Sequence, residues 1–204
     1  ALSSAASDVY KRQELLSVLD MLCLVILIVI QTLAAMKMSV LNKLLEQRAY
    51  TDAHTGLPNK DACEVLLNNK ETVAEHTACM MFDLNNLKII NDTKGHSKGD
   101  QLILNFARLL RNVIPQKDFV GRYGGDEFMV VIYNTSKTEI EDILKQLSRE
   151  KDRLNSSGNN MPIDYACGWA ISDADSECTI QMLLDKADYY MYENKQAYKK
   201  SKKS

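Results

Sequence analysis

The spacing of apolar residues divides the chain into two parts. Every residue from Met21 to Ile30 is apolar, and the stretch 15–36 is mostly apolar over its 22 residues. A helix that crosses a bilayer needs about 20 mostly apolar residues. We therefore predict a transmembrane helix at 15–36, with a buried coiled-coil or linker helix as the alternative.

A second helical pattern occupies residues 37–51. Its apolar residues recur at the spacing of one helix face and are Val40, Leu41, Leu44 and Leu45. The basic residues that follow the apolar span are Lys37, Lys43 and Arg48. Basic residues flanking a span favour the cytoplasmic side. We predict a linker helix at 37–51 that pairs with its copy in a homodimer and places the remaining chain in the cytoplasm.

Residues 1–13 share no pattern with the rest of the chain. Their composition is typical of an adapter-derived, non-native segment, so they take no part in the predicted fold. The length left beyond residue 51 suits one domain, predicted at 52–200. We expect this chain to be part of a longer protein with further sequence upstream.

Beyond residue 51, short apolar runs alternate with amphipathic stretches. The predicted elements are a strand at 78–82, a helix over 102–113, a hairpin around Gly124 and Gly125, a helix opened by Ser136 and Glu139, a strand at 165–171 and a helix from Thr179. The order β-α-β-β-α-β-α indicates an α/β (α+β) fold, a ferredoxin-like palm with a central antiparallel sheet and flanking helices.

Two groups of acids carry the candidate chemistry. Asp126 and Glu127 follow the Gly-Gly turn of the predicted hairpin, and Asp83 ends the buried strand at 78–82. Carboxylates on rigid elements suit a hard cation such as Mg²⁺, which associates with phosphates. Taken singly, each has an ordinary explanation, such as a solvated turn or a helix cap. Their occurrence together predicts a metal and phosphate site.

Polar residues suited to a nucleotide follow Asp83. Lys88 offers a compact positive charge for phosphate, while Asn91 and Asp100 carry groups able to read the edge of a purine. A helix starting in this segment would present main-chain N–H groups to an anion.

These residues resemble the GGDEF family of diguanylate cyclases. The resemblance rests on four motifs in order: Thr51 to Lys60, Asp83 to Asp100, Arg122 to Phe128, and Ala187 to Lys195. It implies a fold similar to nucleotide-cyclase palms and a reaction in which two GTP molecules give cyclic di-GMP and two pyrophosphates. It also implies catalysis at a dimer interface, because each site holds one GTP, and a bacterial cytoplasmic (inner) membrane location.

The resemblance also assigns roles by position. Asp83, the main-chain carbonyl of Leu84, Asp126 and Glu127 would bind Mg²⁺, with Mn²⁺ as the alternative ion. Asp126 would accept the proton of the attacking hydroxyl, with Glu127 as a second catalytic acid. Asn91 and Asp100 would bind guanine. The triphosphate contacts would come from Lys88, Lys195, Lys199 and the main chain of Asn85, Asn86 and Leu87.

Some positions depart from the family pattern. Asn85 stands where a second acid is usual, His54 replaces a leucine, and Lys60 and Lys199 replace arginines. The inhibitory product site of the family pairs an arginine with an aspartate. Here the aspartate is Asp118 but the arginine position holds Pro115, so we expect no product inhibition at that site.

Two other functions stay open at this point. A catalytically silent GTP-binding or effector domain would keep the fold without turnover, and a cyclase making a cyclic mononucleotide would share the same metal chemistry.

The net charge of −2 argues against a nucleic-acid partner. The five cysteines have no spacing suited to zinc, and Cys79 and Cys167, in apolar strands, fit a reducing cytosol. Trp169 is interpreted as a core residue.

Overall fold

The computed structural model describes residues 2–69, 71–74, 76–158, 161–173 and 177–201, with side chains over 10–200 outside those gaps. The chain forms two compact units, residues 1–47 and 48–204. The first unit lies within helix α1, Leu2–Tyr50, which is continuous through the segments predicted as a membrane helix and a linker helix.

Helix α1 is apolar around much of its circumference. Its segment Tyr10–Tyr50 contains an apolar window of mean hydropathy 2.5 that is not buried at all. Length and composition therefore qualify it as a membrane span, and a signal sequence near an N-terminus satisfies the same criteria.

The second unit is an antiparallel sheet with helices on both faces. Its elements are α2 (Lys60–Leu67), β1 (Ala78–Leu84), α3 (Leu87–Lys94), α4 (His96–Val113), β2 (Phe119–Arg122), β3 (Glu127–Ile132), α5 (Lys137–Ser156), β4 (Tyr165–Ile171) and α6 (Ile180–Ser201). The predicted order of strands and main helices is confirmed. Helix α2 was not predicted; it is one short helix of 8 residues, begun by an Asn59 side chain that caps the N–H of Ala62.

The sheet order is β2-β3-β1-β4, with every neighbouring pair antiparallel. The predicted Gly-Gly hairpin is formed by β2 and β3. All seven residues of β1 are buried, because this strand lies inside the sheet with helices over both faces. In the register of β1 and β3, Asp83 lies opposite Glu127. The fold therefore places the acids of both sequence segments at the same end of neighbouring strands.

Two apolar layers hold the sheet. One contains α4 and α5 and is centred on Phe106, whose ring packs against those of Phe82 and Phe128 with centroids 5.9 and 5.0 Å away. The other contains α2 and α6, with Leu183 and Ala187 fully buried. Burial of these side chains supplies the main stabilisation of the domain.

The second layer requires a glycine in β4. A Cβ placed on Gly168 would lie 2.1 Å from the nitrogen of Met191 and 2.2 Å from the carbonyl oxygen of Ala187. The backbone of α6 therefore packs directly on the backbone of β4. This contact fixes the position of Lys195, which lies further along α6.

Residues singled out in the sequence take up the following positions. Ser136 and Glu139 form the predicted capping box of α5. Cys79 is fully buried, as expected for a core residue, whereas Cys167 is half-buried. Trp169 is also half-buried: it packs against the first layer from β4, which is an edge strand.

Candidate active site

Asp83 is the most buried acid of the candidate site. It ends β1 with 5% of its surface exposed, and its Oδ2 accepts a hydrogen bond from Nζ of Lys195 at 2.6 Å. Its Oδ1 is buried and has no hydrogen-bond partner. A buried carboxylate oxygen without a partner carries a desolvation cost, so this atom is suited to an incoming cation or donor.

Asp126 and Glu127 are held by the backbone of the hairpin. The N–H groups of Tyr123 and Gly124 donate to the carbonyl of Glu127 at 2.9 and 3.1 Å, and the N–H of Leu84 donates to the carbonyl of Asp126 at 2.9 Å. A Cβ on Gly124 would lie 2.6 Å from Oε2 of Glu127. The bond from Leu84 to Asp126 joins the turn to β1, so the two acidic segments are positioned by main-chain geometry.

The electrostatic field here is strongly negative. Burial, followed by the charges of Asp126, Asp83 and Asp188, raises the pKa of Glu127, and the nearby Lys195 offsets only part of that rise. Carboxylates brought together in this way favour a cation between them.

The residues fit a hard divalent cation in their chemistry. Three carboxylates lie on adjoining strand ends, and Asp83 offers an unpartnered buried oxygen. In the described part of the chain, no group of three His, Cys, Asp or Glu side chains already has the arrangement of a metal site. Lys195 provides the positive charge next to Asp83 in this structure.

The segment after β1 forms a tight corner before α3. Asn86 adopts a left-handed conformation with φ of 63°, and Leu87 begins the helix. The N–H of Asn85 donates to the carbonyl of Asp164 at 2.9 Å, so this amide is engaged inside the fold rather than offered to phosphate. Of the three predicted main-chain donors, Asn86 and Leu87 remain, at the start of a helix, where N–H groups have no intrahelical acceptor.

The predicted guanine ligands lie at the corner between α3 and α4. A Cβ on Gly99 would lie 1.9 Å from Oδ1 of Asn91, so the glycine makes room for the half-buried Asn91 side chain. Asp100, the next residue, is exposed, as is Lys88. Nε2 of His54 lies 3.0 Å from the carbonyl oxygen of Asp100. Sequence reasoning did not assign His54 a role, because the two residues are 46 positions apart.

Lys195 and Lys199 are one helical turn apart on α6, and their positions differ in exposure. Lys195 is partly buried against Asp83, whereas Lys199 is exposed. The two can contribute positive charge along the same side of α6.

An ion pair behind the hairpin was missed by sequence reasoning. Nη1 of Arg122 lies 3.2 Å from both oxygens of Asp52, while its Nη2 donates to the carbonyl of Gly125 at 2.8 Å. Asp52 also accepts from the N–H and hydroxyl of Thr55 at 2.8 and 2.6 Å. Burial raises the pKa of Asp52, but the Thr55 hydrogen bonds and Arg122 outweigh it and hold that pKa below its usual value. The local Asp-x-x-Thr turn was readable from the sequence, but not its arginine 70 positions away.

A protein-family model described as "Diguanylate cyclase, GGDEF domain" matches residues 49–201. This chain belongs to that family. The GGDEF assignment covers every helix and strand of the second unit after α1, and every predicted site residue.

Known proteins of several functions resemble this GGDEF chain. The diguanylate cyclase DgcP of Escherichia coli is 30% identical over 78% of this chain and 48% of its own length. The cyclic di-GMP phosphodiesterase PdeB of Shewanella oneidensis is 32% identical over 71% of this chain and 17% of its own. The GGDEF domain of DgcB from Caulobacter crescentus, solved in complex with c-di-GMP, is 25% identical with a TM-score of 0.63, over 73% of this chain and 89% of that one.

The GGDEF chain spans less than half the length of these two curated relatives.

The aspartate of the expected product site has local hydrogen bonds. The side chain of Asp118 accepts a hydrogen bond from the N–H of Tyr133 at 3.1 Å, and the N–H of Asp118 donates to the carbonyl of Pro115 at 3.0 Å. Asp118 thus has a local structural role next to the proline that replaces the expected arginine.

Proposed function

We propose that this chain is a diguanylate cyclase that condenses two GTP molecules into cyclic di-GMP and releases two pyrophosphates. The observation that supports this most directly is the buried, unpartnered Oδ1 of Asp83 at the strand end opposite Glu127. A fold that served only as a scaffold would gain nothing from a desolvated carboxylate beside two further acids.

The substrate contacts follow from the positions of the polar groups. The amide of Asn91 and the carboxylate of Asp100 hydrogen-bond the guanine edge. Lys88, Lys195 and Lys199 contact the triphosphate, as do the N–H groups of Asn86 and Leu87 at the start of α3. Nζ of Lys195 is already near Asp83, so it lies where phosphate charge would meet the acids.

The metal ion, Mg²⁺ or Mn²⁺, would be held by Asp83, the main-chain carbonyl of Leu84, Asp126 and Glu127. When bound, it would stabilise the charge that develops during phosphoryl transfer. A carboxylate oxygen of Asp126 accepts the proton of the ribose 3′-hydroxyl. That oxygen belongs to a turn fixed by the bond from the N–H of Leu84 to the carbonyl of Asp126, so the base has little freedom to move away from the reacting hydroxyl. Glu127 contributes further negative charge at the same site.

Each site holds one GTP, so the reaction requires two copies of the domain with their substrates facing. We infer a homodimer in which α1 pairs with its copy. We also infer that the apolar part of α1 crosses the bacterial cytoplasmic membrane, with residues 52–200 in the cytoplasm.

A catalytically silent GTP-binding domain is the second candidate. It is favoured by the likeness to a protein named as a phosphodiesterase and by Asn85, which stands where the family usually has an acid. In that case the same residues would bind GTP without turning it over.

The deciding experiment uses the full chain in detergent with GTP and Mg²⁺, and identifies products by chromatography. We expect cyclic di-GMP from the unaltered protein and none from Asp126→Ala. Asp185→Ala is the matched control, since Asp185 is exposed on α6 and its side chain accepts from Gln181. Bound but unchanged GTP would support the silent domain, and cyclic GMP would support a mononucleotide cyclase. Full turnover by Asp126→Ala would remove the proposed base.

A further inference from the structure

The outer edge of the sheet at β4 has main-chain groups directed away from β1. The N–H of Ser172 donates to the carbonyl of Thr77, and the N–H of Asn85 donates to that of Asp164. In an antiparallel ladder the bonded positions alternate, so the even-numbered residues of β4 face β1. The odd-numbered residues therefore direct their N–H and C=O groups outwards; these are Tyr165, Cys167, Trp169 and Ile171.

One outward group already shows this direction. The carbonyl of Cys167 accepts a hydrogen bond from Nδ2 of Asn194 at 2.6 Å. Trp169 and Ile171 continue along the same edge. In the described part of the chain no strand pairs with this side of β4.

The sequence of β4 lacks the features that prevent an edge strand from pairing with a further strand. Natural edge strands are protected by charged residues, proline or bulges. The strand Tyr165–Ile171 contains no charged residue and no proline, and its register with β1 runs without interruption. It is therefore a suitable template for an added strand.

An open cavity of about 550 Å³ lies along this edge. It is lined by Trp169 and Ile171 of β4, by Lys137 at the start of α5, and by Lys186 and Tyr190 of α6. Its size is within the range of sites that hold small ligands or a short peptide segment. Tyr190 is 51% exposed, and a tyrosine beside a tryptophan is typical of the centre of a protein interface.

The charges of the cavity favour an acidic partner. Two lysines and one aspartate, Asp173, line it, and neither lysine forms a salt bridge with another described residue. Helix α5 belongs to one layer of the sheet and α6 to the other. The two positive charges thus lie on opposite faces of the position where a further strand would lie.

We propose that the β4 edge, defined here as Trp169 and Ile171 with Lys137, Lys186 and Tyr190, binds an extended acidic peptide segment of a partner protein as an additional strand. Its main chain pairs with the outward groups of Trp169 and Ile171. Because successive side chains of a strand point to opposite faces, two consecutive acids would reach Lys137 and Lys186. This interaction is independent of GTP turnover.

The chain contains a single tryptophan, Trp169, so its fluorescence reports directly on the β4 edge. The full chain in detergent is titrated with the peptide Thr-Val-Glu-Glu-Val-Thr. Two controls are the same peptide with lysines in place of the glutamates and the acidic peptide N-methylated at alternate amides, which cannot pair on one edge. We expect a saturable change in emission with the acidic peptide only.

Reversing the charge of the cavity lysines is a second test of the proposal. Lys186→Glu should weaken binding of the acidic peptide about tenfold, and the double variant Lys137→Glu/Lys186→Glu should bind the lysine peptide instead. Lys117→Glu, an exposed lysine just before β2 at the opposite sheet edge, is the matched control. Circular dichroism verifies that each variant is folded.

Three results would overturn the proposal. The first is no saturable change at about 1 mM acidic peptide. The second is equal binding of the acidic, basic and N-methylated peptides, which would show that neither charge nor strand pairing matters. The third is emission from Trp169 that changes with protein concentration alone, because a second copy of this chain would then occupy the edge.

Discussion

Replacing Asp52 by asparagine tests whether the ion pair behind the hairpin holds the acidic turn. The side chains of Asp52 and Arg122 are 21% and 17% exposed, so the pair is partly screened by solvent. Asparagine keeps an oxygen for Thr55 but loses the charge that faces Arg122. Hydrogen bonds between charged groups contribute about 1.5–3 kcal/mol, and after allowance for exposure we expect Asp52→Asn to destabilise the domain by about 1.5 kcal/mol.

The assay is thermal unfolding of the full chain together with turnover of GTP. For a domain of about 150 residues, a change of about 1.5 kcal/mol lowers Tm by about 3–6 °C. If the proposed function is right, turnover should fall about tenfold, because Arg122 also donates to the carbonyl of Gly125 and a displaced turn would misplace the acids proposed for catalysis. Asp142→Asn is the control: it removes an exposed i,i+3 pair with Lys145, which should change Tm very little.

The pH dependence gives an independent check of the same pair. The pKa of Asp52 in the folded protein lies below its usual value of 3.8. Its charge therefore stabilises the fold at pH values above 3.8, and this contribution is lost as pH falls through the lower, folded-state pKa. The difference in Tm between the unaltered chain and Asp52→Asn should narrow below about pH 4. If the two proteins melt and turn over GTP alike at neutral pH, the reasoning about this pair is refuted.

Three further substitutions test other parts of the fold. Gly168→Ala should destabilise the domain by about 3 kcal/mol or more, because the added Cβ meets the backbone of α6; Gly125→Ala, where a Cβ meets nothing within 4 Å, is its control in thermal unfolding. Asp118→Ala should leave inhibition by cyclic di-GMP unchanged in a product-titration assay while lowering Tm, because Tyr133 loses its acceptor. Ser136→Ala removes the capping box of α5 and should cost about 1 kcal/mol in denaturant unfolding, with Ser156→Ala at the other end of that helix as a comparison.

Local patterns of the sequence predicted much of the fold. The capping box at Ser136, the Gly-Gly hairpin and the buried strand ending in Asp83 depend on neighbouring residues, and all three are present. The short helix α2 was missed because 8 residues carry little periodic signal. Strand order was likewise not readable from the spacing of apolar residues, so Trp169 was interpreted as a core residue although its strand lies at an edge.

The sequence indicated which residues belong to the candidate site, but not which contacts these residues make with distant parts of the chain. The acids and lysines were identified by type and motif. Whether they are engaged elsewhere depends on contacts between distant segments, as in the bond from Asn85 to Asp164 or the contact of His54 with Asp100. These pairs are separated by many residues, and no local pattern encodes them.

The last two residues of α1, Ala49 and Tyr50, belong to the second unit and are hydrogen-bonded there by Asn59. Nδ2 of Asn59 donates to the carbonyl of Ala49 at 2.7 Å, and its N–H donates to that of Tyr50 at 3.0 Å. Two residues before Asn59, the carbonyl of Leu57 accepts a hydrogen bond from the N–H of Asp52. A rotation of the last turn of α1 would therefore strain these hydrogen bonds first. The loop that carries Asp52 would then change conformation before the sheet does.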